Sequence, residues 1–213
     1  MHATRIIAIR HGETAWNVDT RVQGQLDIEL NVTGRWQAHR VAQALSGEKI
    51  HAIYASDLLR AWDTARAISY ATRGELQAHA GLRERGFGDL QGKTHAEIEA
   101  GWPEQALRWR KRDPQWKPEG GESLVDVRDR IIQTTSELAA RHLGQQIVMV
   151  AHGGVMDALY RTATGQHLQA PRTWNLGNAA INRLLWTPEG LTLVGWSDTR
   201  HLDEHEGLDE TST

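Results

Sequence analysis

The amino-acid sequence predicts an α/β fold, a three-layer sandwich in which a mostly parallel central sheet lies between helices on both faces. Short apolar runs typical of buried strands alternate with segments whose apolar residues recur at the spacing of one helical face. This βαβα alternation favours a parallel sheet between helix layers. With 213 residues the chain is long enough for one well-covered core and short for two, so we expect a single domain over residues 1–213.

The first half of the chain predicts two strand–helix units. An apolar run over about residues 4–9 indicates the first strand, and a glycine- and asparagine-rich segment follows it. We expect Thr33 to be the N-cap of a helix over about 34–46. A short strand over 51–55 then leads to Ser56-Asp57, which we expect to cap a second helix.

The middle of the chain departs from this regular alternation. A short strand over 75–79 precedes a segment at about 93–121 that is rich in tryptophan and basic residues. We interpret this segment as a lid of short helices and a loop over one end of the sheet. Ser123 and Asp126 then form the pattern of a capping box, which opens an amphipathic helix that runs to about His142.

The last third returns to strands. The uninterrupted apolar run 147–151 indicates a buried strand that leads into another helix. Two further apolar runs, 181–186 and 191–196, are joined by a short proline- and glycine-containing turn and predict a terminal hairpin. We expect an acidic tail from about residue 203.

Composition excludes several classes of function. The formal net charge of -3 and the lack of a basic block predict no nucleic-acid partner and no membrane partner. Because the chain has no cysteine, it has no disulfide, no thiolate metal ligand and no cysteine nucleophile. With no signal-peptide pattern and no apolar stretch of membrane-spanning length, we expect a cytoplasmic protein.

Candidate catalytic residues stand where predicted strands end. Arg10 and His11 follow the first strand, Arg60 lies in the first turn of the helix after the second, and His152 ends the strand at 147–151. Ligands of open parallel sheets lie outside the carboxyl ends of the strands. If the first and fourth strands pair directly, at a spacing of about 4.8 Å, the two histidines face one small pocket. Two arginines and two histidines form a cradle for a dianion.

The glycines after the second histidine add to this site. The backbone amides of Gly153-Gly154 open a helix, and amides at a helix N-terminus can bind a phosphate. Each residue also has an ordinary structural interpretation, since the chain contains eleven histidines and an arginine on a helix is most often solvated. The order of the motifs along the chain is what favours the catalytic interpretation.

The sequence resembles the histidine phosphatase superfamily, the phosphoglycerate mutase-like proteins, from residue 5 to about residue 202. The residues that carry the resemblance are Arg10-His11-Gly12-Glu13-Thr14, Trp16-Asn17, Gln23-Gly24, Ser56-Asp57-Leu58-Leu59-Arg60-Ala61, Thr64-Ala65, Leu82-Arg83-Glu84, Gly121-Glu122-Ser123 and His152-Gly153. Asp198-Thr199-Arg200-His201-Leu202 is similar to a common ending of the bacterial members.

The resemblance implies a mechanism and a role for each residue. His11 attacks the phosphoryl group in line and becomes a phosphohistidine. Glu84 protonates the leaving alkoxide and then deprotonates the incoming water or hydroxyl, a role that requires a carboxyl with a raised pKa. No metal is required. The residues expected to bind the phosphoryl oxygens are Arg10, Asn17, Gln23, Gly24, Arg60, His152 and Gly153.

The acceptor of the phosphoryl group is less well determined by these motifs. In the mutases of this family the stretch after the acid/base glutamate usually resembles Glu-Arg-His-Tyr-Gly and leads into a longer insertion, whereas this chain has Glu84-Arg85-Gly86-Phe87-Gly88. We therefore favour a phosphomonoesterase that acts on a small phosphorylated metabolite, without a cofactor. One alternative is a phosphoglycerate mutase that uses 2,3-bisphosphoglycerate, which the basic residues of the lid favour because a bisphosphate needs a second cationic contact. The other is a non-catalytic protein that binds phosphorylated ligands.

A competing motif lies near the carboxyl terminus. His201-Leu202-Asp203-Glu204-His205 fits the H-x-x-E-H pattern of certain zinc peptidases. It stands in an acidic stretch without an apolar helical stripe, so we expect no zinc site there. The sequence does not indicate the physiological substrate or whether the chain forms a homo-oligomer.

Overall fold

The structure, a computed structural model, describes residues 3–203 and contains one six-stranded sheet. Its strands are β1 (Thr4–Arg10), β2 (Ala52–Ala55), β3 (Leu76–Ala78), β4 (Gln146–Ala151), β5 (Ile181–Thr187) and β6 (Gly190–Asp198). Its α-helices are α1 (Ala15–Val18), α2 (Val32–Leu45), α3 (Leu59–Thr72), α4 (His95–Gly101), α5 (Pro103–Arg110), α6 (Leu124–Ala140) and α7 (Gly153–Thr164).

The strand order places the first and fourth strands side by side. The order is β3-β2-β4-β1-β5-β6, and the first four of these strands are parallel to one another, while β5 and β6 form an antiparallel hairpin on the edge. The prediction of a mostly parallel sheet is therefore confirmed. In the register of β1 and β4, Arg10 lies opposite Ala151. His11 and His152 are consequently the next residues at the same edge of the sheet.

Helices cover both faces of the sheet, as predicted. Side chains alternate along each strand, so Ile6 of β1 packs with α6 and α7 on one face and Ile7 packs with α2 and α3 on the other. The apolar run of β4 is buried on both sides for the same reason. Both faces of the sheet are thus closed, and its carboxyl edge is where polar groups collect.

Two helix starts differ from the predictions. The N-cap of α2 is Asn31, whose side chain accepts from the amide of Gly34 at 2.7 Å, so the helix begins at Val32 and Thr33 lies inside it. At α3, neither predicted residue caps the helix, since Ser56 accepts from Leu58 N instead. The carboxylate of Asp57 is bound by Arg83 at 2.7 Å, which removes it from the helix end.

The segment around α4 and α5 has a small core of its own. Val22, Leu90, Ile98, Ala106 and Trp116 form a cluster separate from the two sheet clusters. The capping box at the start of α6 and the terminal hairpin are both confirmed. Among residues 3–203, no helix has the length and apolar composition needed to cross a membrane. Most of the predicted acidic tail lies outside the described residues.

Candidate active site

His11 follows the last residue of β1 and is 2% exposed. Its Nδ1 lies 2.7 Å from the carbonyl oxygen of Gly12, so Nδ1 carries the proton and donates it. The other nitrogen, Nε2, then holds the lone pair of the neutral ring. Gly12 is required at this point, because a Cβ there would lie 2.4 Å from the carbonyl oxygen of Gly34. This local geometry leaves Nε2 of His11 as the ring nitrogen that is able to act as a nucleophile.

His152 follows β4 and lies beside His11, with 5.2 Å between the ring centroids and 58° between the ring planes. The ring is completely buried, and neither of its nitrogens has a hydrogen-bond partner among the described residues. Buried polar atoms are nearly always satisfied, so two unsatisfied nitrogens indicate a group that is built to bind something.

Two arginines lie at the same site as the histidines, and each has a guanidinium nitrogen that forms no hydrogen bond within residues 3–203. Arg60 is 1% exposed and donates to the carbonyls of Leu26 (2.8 Å) and Gly24 (2.7 Å). Arg10 donates to the carbonyl of Leu176. The Nε atoms of both arginines are buried and have no acceptor among the described residues. These two donors and the ring of His152 fit the oxygens of a phosphoryl group.

Burial and charge keep both histidines neutral. Burial lowers the pKa of His11 well below 6.5, and the charges of Arg60 and Arg10 lower it further. Burial and Arg60 likewise lower the pKa of His152 well below 6.5. Burial also lowers the pKa of Arg60, to about 10, so this guanidinium is still charged at neutral pH. The site therefore combines a neutral nucleophile with cationic surroundings.

The predicted phosphate-binding residues Asn17 and Gln23 line a cavity of about 310 Å³ that also contains His11 and Arg60. Oδ1 of Asn17 accepts from the amide of Thr14 at 3.0 Å, so the side-chain nitrogen is the group that can meet an anion. Oε1 of Gln23 is buried without a partner among residues 3–203.

Gly24 lines the same cavity, with a backbone φ of +52° that favours glycine. A side chain there would meet Gln91. Its carbonyl accepts from Arg60, so the structure gives Gly24 a part in holding that arginine.

Glu84 lies at the same edge, on a loop. Its carboxylate accepts from the amide of Gly154, at 3.1 Å to Oε1 and 3.0 Å to Oε2, and from the amide of Arg85 at 2.8 Å. A Cβ at Gly154 would come within 2.3 Å of Oε1, so the close approach requires glycine. The sequence predicts that both amides of Gly153-Gly154 face phosphate, but the amide of Gly154 binds this carboxylate instead. Gly153 lies against the guanidinium of Arg10.

A second cavity, of about 510 Å³, adjoins the first. The two cavities share five lining residues, which are Arg10, Glu84, Phe87, His95 and Trp109. The second adds Arg112 and Arg172. Burial is the main cause that lowers the pKa of Arg10, the charge of Glu84 opposes the shift, and the charge of Arg172 adds to it. Phe87 and Trp109 are stacked, with ring centroids 4.8 Å apart. Asp157 also lines the second cavity and is paired with Arg112 at 2.8 Å. A ligand that fills both cavities therefore meets Arg60 at one end, Glu84 in the middle and Arg172 at the other end.

Sequence reasoning missed Asn178, which precedes β5. Its side-chain nitrogen donates to the carbonyl of His11 at 2.9 Å and lies 3.4 Å from Oδ1 of Asn17. The amide of the next residue, Ala179, donates to the carbonyl of Arg10 at 2.9 Å. This loop fixes the backbone of the nucleophile from a point 167 residues away in the chain. No local pattern in the sequence signals such a contact.

The possible zinc motif is only partly within the described residues. Nε2 of His201 lies 3.0 Å from the carbonyl of Ala179 and must donate to it, while Glu204 and His205 lie outside the described residues. Over residues 3–203, no group of three or more histidine or acidic side chains is arranged to hold a metal ion.

Comparison with known proteins agrees with this geometry. The family model of the histidine phosphatase superfamily (branch 1) matches residues 6–199. The chain belongs to the histidine phosphatase superfamily.

Its relatives in this superfamily carry both mutase-like and phosphatase names. The chain is 40% identical to phosphoglycerate mutase-like protein 4 of Arabidopsis thaliana, over 93% of this chain and 87% of the relative. It is 36% identical to the metal-independent phosphoserine phosphatase of the same plant, over 93% and 83%. A solved mycobacterial glucosyl-3-phosphoglycerate phosphatase is 38% identical and superposes with a TM-score of 0.83, over 92% of this chain and 100% of that one.

Proposed function

We propose that this histidine phosphatase is a metal-independent phosphomonoesterase that acts on a small phosphorylated metabolite through a phosphohistidine at His11. The observation that carries the proposal is the pair of buried neutral rings, His11 and His152, with centroids 5.2 Å apart. They lie beside the Nε atoms of Arg10 and Arg60, which have no acceptor within residues 3–203. A neutral imidazole is nucleophilic, and the donors around it are oriented before substrate arrives.

In the first step, Nε2 of His11 attacks phosphorus in line with the ester bond. The P–N bond forms as the P–O bond breaks, and the electron pair of that bond goes to the leaving oxygen. Glu84 in its protonated form gives that oxygen a proton, so the product leaves as an alcohol. Arg10 and Arg60 hold the charge of the transferring oxygens, and His152 donates one N–H to them.

In the second step, water takes the place of the alcohol. Glu84, now a carboxylate, removes a proton from the water as its oxygen attacks phosphorus, and the P–N bond breaks to release inorganic phosphate. The same side chain thus serves as acid and then as base, which requires that it lies on the leaving-group side of phosphorus. The side chains of Asn17 and Gln23, with the backbone of Gly24 and Gly153, complete the walls around the phosphoryl group.

The second cavity supports a substrate whose leaving group carries an acid. A phosphate seated at His11 directs its alcohol past Glu84 toward Arg172, where a carboxylate finds a cationic partner. Arg112 lines the same cavity but is already paired with Asp157 at 2.8 Å. Two similar proteins are named for substrates of this kind, phosphoserine and glucosyl-3-phosphoglycerate. Segment 93–121 acts in this proposal as the lid that selects the leaving group, since His95, Trp109 and Arg112 from it line the cavity.

A mutase activity is the second candidate, because the same arginines provide a second cationic contact for a bisphosphate. It is tested by supplying 3-phosphoglycerate with catalytic 2,3-bisphosphoglycerate. The phosphatase proposal predicts inorganic phosphate or no reaction. Rapid formation of 2-phosphoglycerate would show that the acceptor is a hydroxyl and that the bisphosphate is a cofactor.

The proposed activity itself is tested with a generic substrate. Purified protein should hydrolyse 4-nitrophenyl phosphate in EDTA, because every group in the mechanism is a protein side chain or backbone amide. The control is the same assay with added Mg²⁺, Mn²⁺ or Zn²⁺, which should not raise the rate. Turnover that appears only with a metal, or no turnover, would overturn the proposal.

A further inference from the structure

A bidentate ion pair lies directly behind the loop that carries Glu84. Nε of Arg130 donates to Oε1 of Glu122 and Nη2 donates to Oε2, both at 2.8 Å. Each side chain of the pair is 23% exposed. Paired planar groups of this kind hold a fixed mutual orientation, so they can act as a rigid support for whatever else they bind.

The remaining N–H groups of Arg130 donate to backbone carbonyls of the loop that leads up to Glu84. Nη1 donates to the carbonyls of Gly81 and Arg83, both at 2.9 Å, and Nη2 lies 3.4 Å from the carbonyl of Glu84. One guanidinium therefore binds three carbonyls within four residues of the loop. A lysine could not do this, because its single ammonium nitrogen cannot reach both the Glu122 carboxylate and the loop carbonyls that lie on different sides of the planar guanidinium.

Glu122 holds the backbone on the other side. Its Oε2 accepts from the amide of Gly86 at 2.7 Å, and its own amide donates to the carbonyl of Gly86 at 2.8 Å. Its carbonyl accepts from Nε of Arg85 at 2.8 Å. Together the pair binds the backbone of Gly81, Arg83, Glu84 and Gly86 and the side chain of Arg85, so Glu84 has little freedom to change its backbone direction.

We propose that Glu122 and Arg130 are the positioning pair for Glu84, which hold its loop so that its carboxyl reaches the leaving oxygen at phosphorus. The inference rests on the proposed function, in which Glu84 is the general acid. Neither side chain of the pair lines the cavity around His11, so the pair acts through the loop. Loss of the pair should therefore impair proton transfer while phosphoryl binding is retained.

The experiment compares phenyl phosphate with 4-nitrophenyl phosphate. The two esters have nearly the same shape, but phenolate is the poorer leaving group and depends more on a proton from the acid. The quantity measured is kcat/KM, which covers the steps up to formation of the phosphoenzyme and is independent of its hydrolysis. The variants are Glu122→Gln and Arg130→Lys, with Glu84→Gln as the reference for complete loss of the acid.

We expect a selective loss. Glu84→Gln should lower kcat/KM for phenyl phosphate by roughly 10²- to 10⁴-fold, the usual contribution of a general acid, and that for 4-nitrophenyl phosphate much less. In Glu122→Gln, the new NH2 group faces Nε of Arg130 in one orientation and both Nη2 of Arg130 and the amide of Gly86 in the other. Either orientation sets donor against donor, so the loop moves. Because a displacement of about 1 Å can cost about 100-fold, we expect phenyl phosphate to lose roughly tenfold more than 4-nitrophenyl phosphate, and Arg130→Lys to show the same preference.

The control is Glu48→Gln. Glu48 also accepts on both oxygens, from Arg183 at 2.6 Å and from Gln146 at 2.7 Å, but it lies at the amino-terminal end of β4. This variant should lower the melting temperature and leave the ratio of the two kcat/KM values unchanged. Equal losses for both esters in Glu122→Gln and Arg130→Lys would overturn the positioning role. If Glu84→Gln itself shows no preference, the acid role in the proposed function fails, and the inference fails with it.

Discussion

The two sides of the active site are built in different ways. In the proposed function, the side that holds the phosphoryl group is anchored on adjacent parallel strands, since His11 and His152 follow residues that are paired in the register of β1 and β4. The side proposed to meet the leaving group stands on loops. Glu84 accepts there from a helix amide, its loop is bound by Glu122 and Arg130, and the segment around α4 and α5 has a small core of its own.

This difference separates the chemistry at phosphorus from the choice of substrate. The strand register positions Arg10, His11 and His152, whereas Arg60 lies on α3 and is held by the carbonyls of Gly24 and Leu26. In the proposed function, any phosphate monoester that reaches the site meets the same groups. The loops can change in length and charge without disturbing the sheet. Substitutions on the cradle side should therefore affect all substrates alike, whereas substitutions on the lid side should affect some substrates more than others.

The largest effect in this comparison is expected from Arg60→Lys. The guanidinium holds two carbonyls and keeps Nε for the phosphoryl group, and an ammonium cannot do both. Loss of one preorganised donor typically costs roughly 10²- to 10³-fold in kcat. The fall should be the same for aryl and alkyl phosphates in steady-state assays. Arg66→Lys, an exposed substitution on the same helix, is the control and should change nothing. If the fall in kcat of Arg60→Lys depended on the substrate, the proposed separation between phosphoryl binding and substrate selection would be wrong.

A smaller and selective effect is expected from Arg172→Gln. Phosphoserine and phosphoethanolamine differ in one carboxylate, and only the former can use the arginine at the second cavity. Loss of a charge-assisted hydrogen bond should lower kcat/KM for phosphoserine roughly tenfold, while phosphoethanolamine is unaffected. Arg128→Gln, which removes an exposed cation that is not among the residues lining the cavity, is the matched control. An equal fall in kcat/KM for the two substrates in Arg172→Gln would show that Arg172 does not bind the carboxylate.

The smallest effect concerns stability against pH. The pKa of His11 and the pKa of His152 are lowered by burial and by the arginines, so below pH 6.5 the unfolded chain binds protons that the folded chain does not. Stability should therefore fall as the pH drops below about 6.5, by at most about 1.4 kcal/mol per pH unit for each histidine. Urea unfolding at pH 7.5 and pH 5.5 measures the loss.

Two further measurements isolate the contribution of the histidines to this pH dependence. His152→Asn should be less sensitive to acid than the wild type. Exposed His39 provides the control, since His39→Asn should keep the full pH dependence. A pH dependence unchanged in His152→Asn would contradict a buried neutral ring at this position.

The same contrast explains how much of the molecule could be predicted from sequence. The apolar runs that end at Arg10 and at Ala151 locate two strand ends. Their direct pairing is only a condition in the prediction, because a parallel sheet allows several strand orders, and the structure supplies the order. The residues around Glu84 could be assigned only by resemblance, because loop geometry has no period. Asn178 and Arg172 carry no local signal, since each meets the site through tertiary contacts. The amide of Gly154 was assigned to phosphate because sequence cannot show that a carboxylate arrives from another loop.

In the proposed mechanism the phosphoryl group passes through His11, and trapping the phosphoenzyme tests whether this residue carries the phosphate. The wild type is mixed with 4-nitrophenyl phosphate, denatured at neutral to alkaline pH within the first turnover, and digested with trypsin for mass spectrometry. Peptide 11–21 contains His11 as its only histidine, whereas peptide 142–161 contains His152.

If His11 is the nucleophile, we expect an acid-labile phosphate on peptide 11–21 of the wild type and none on the corresponding peptide of His11→Ala. Phosphate on peptide 142–161, or an adduct that survives in His11→Ala, would contradict this assignment.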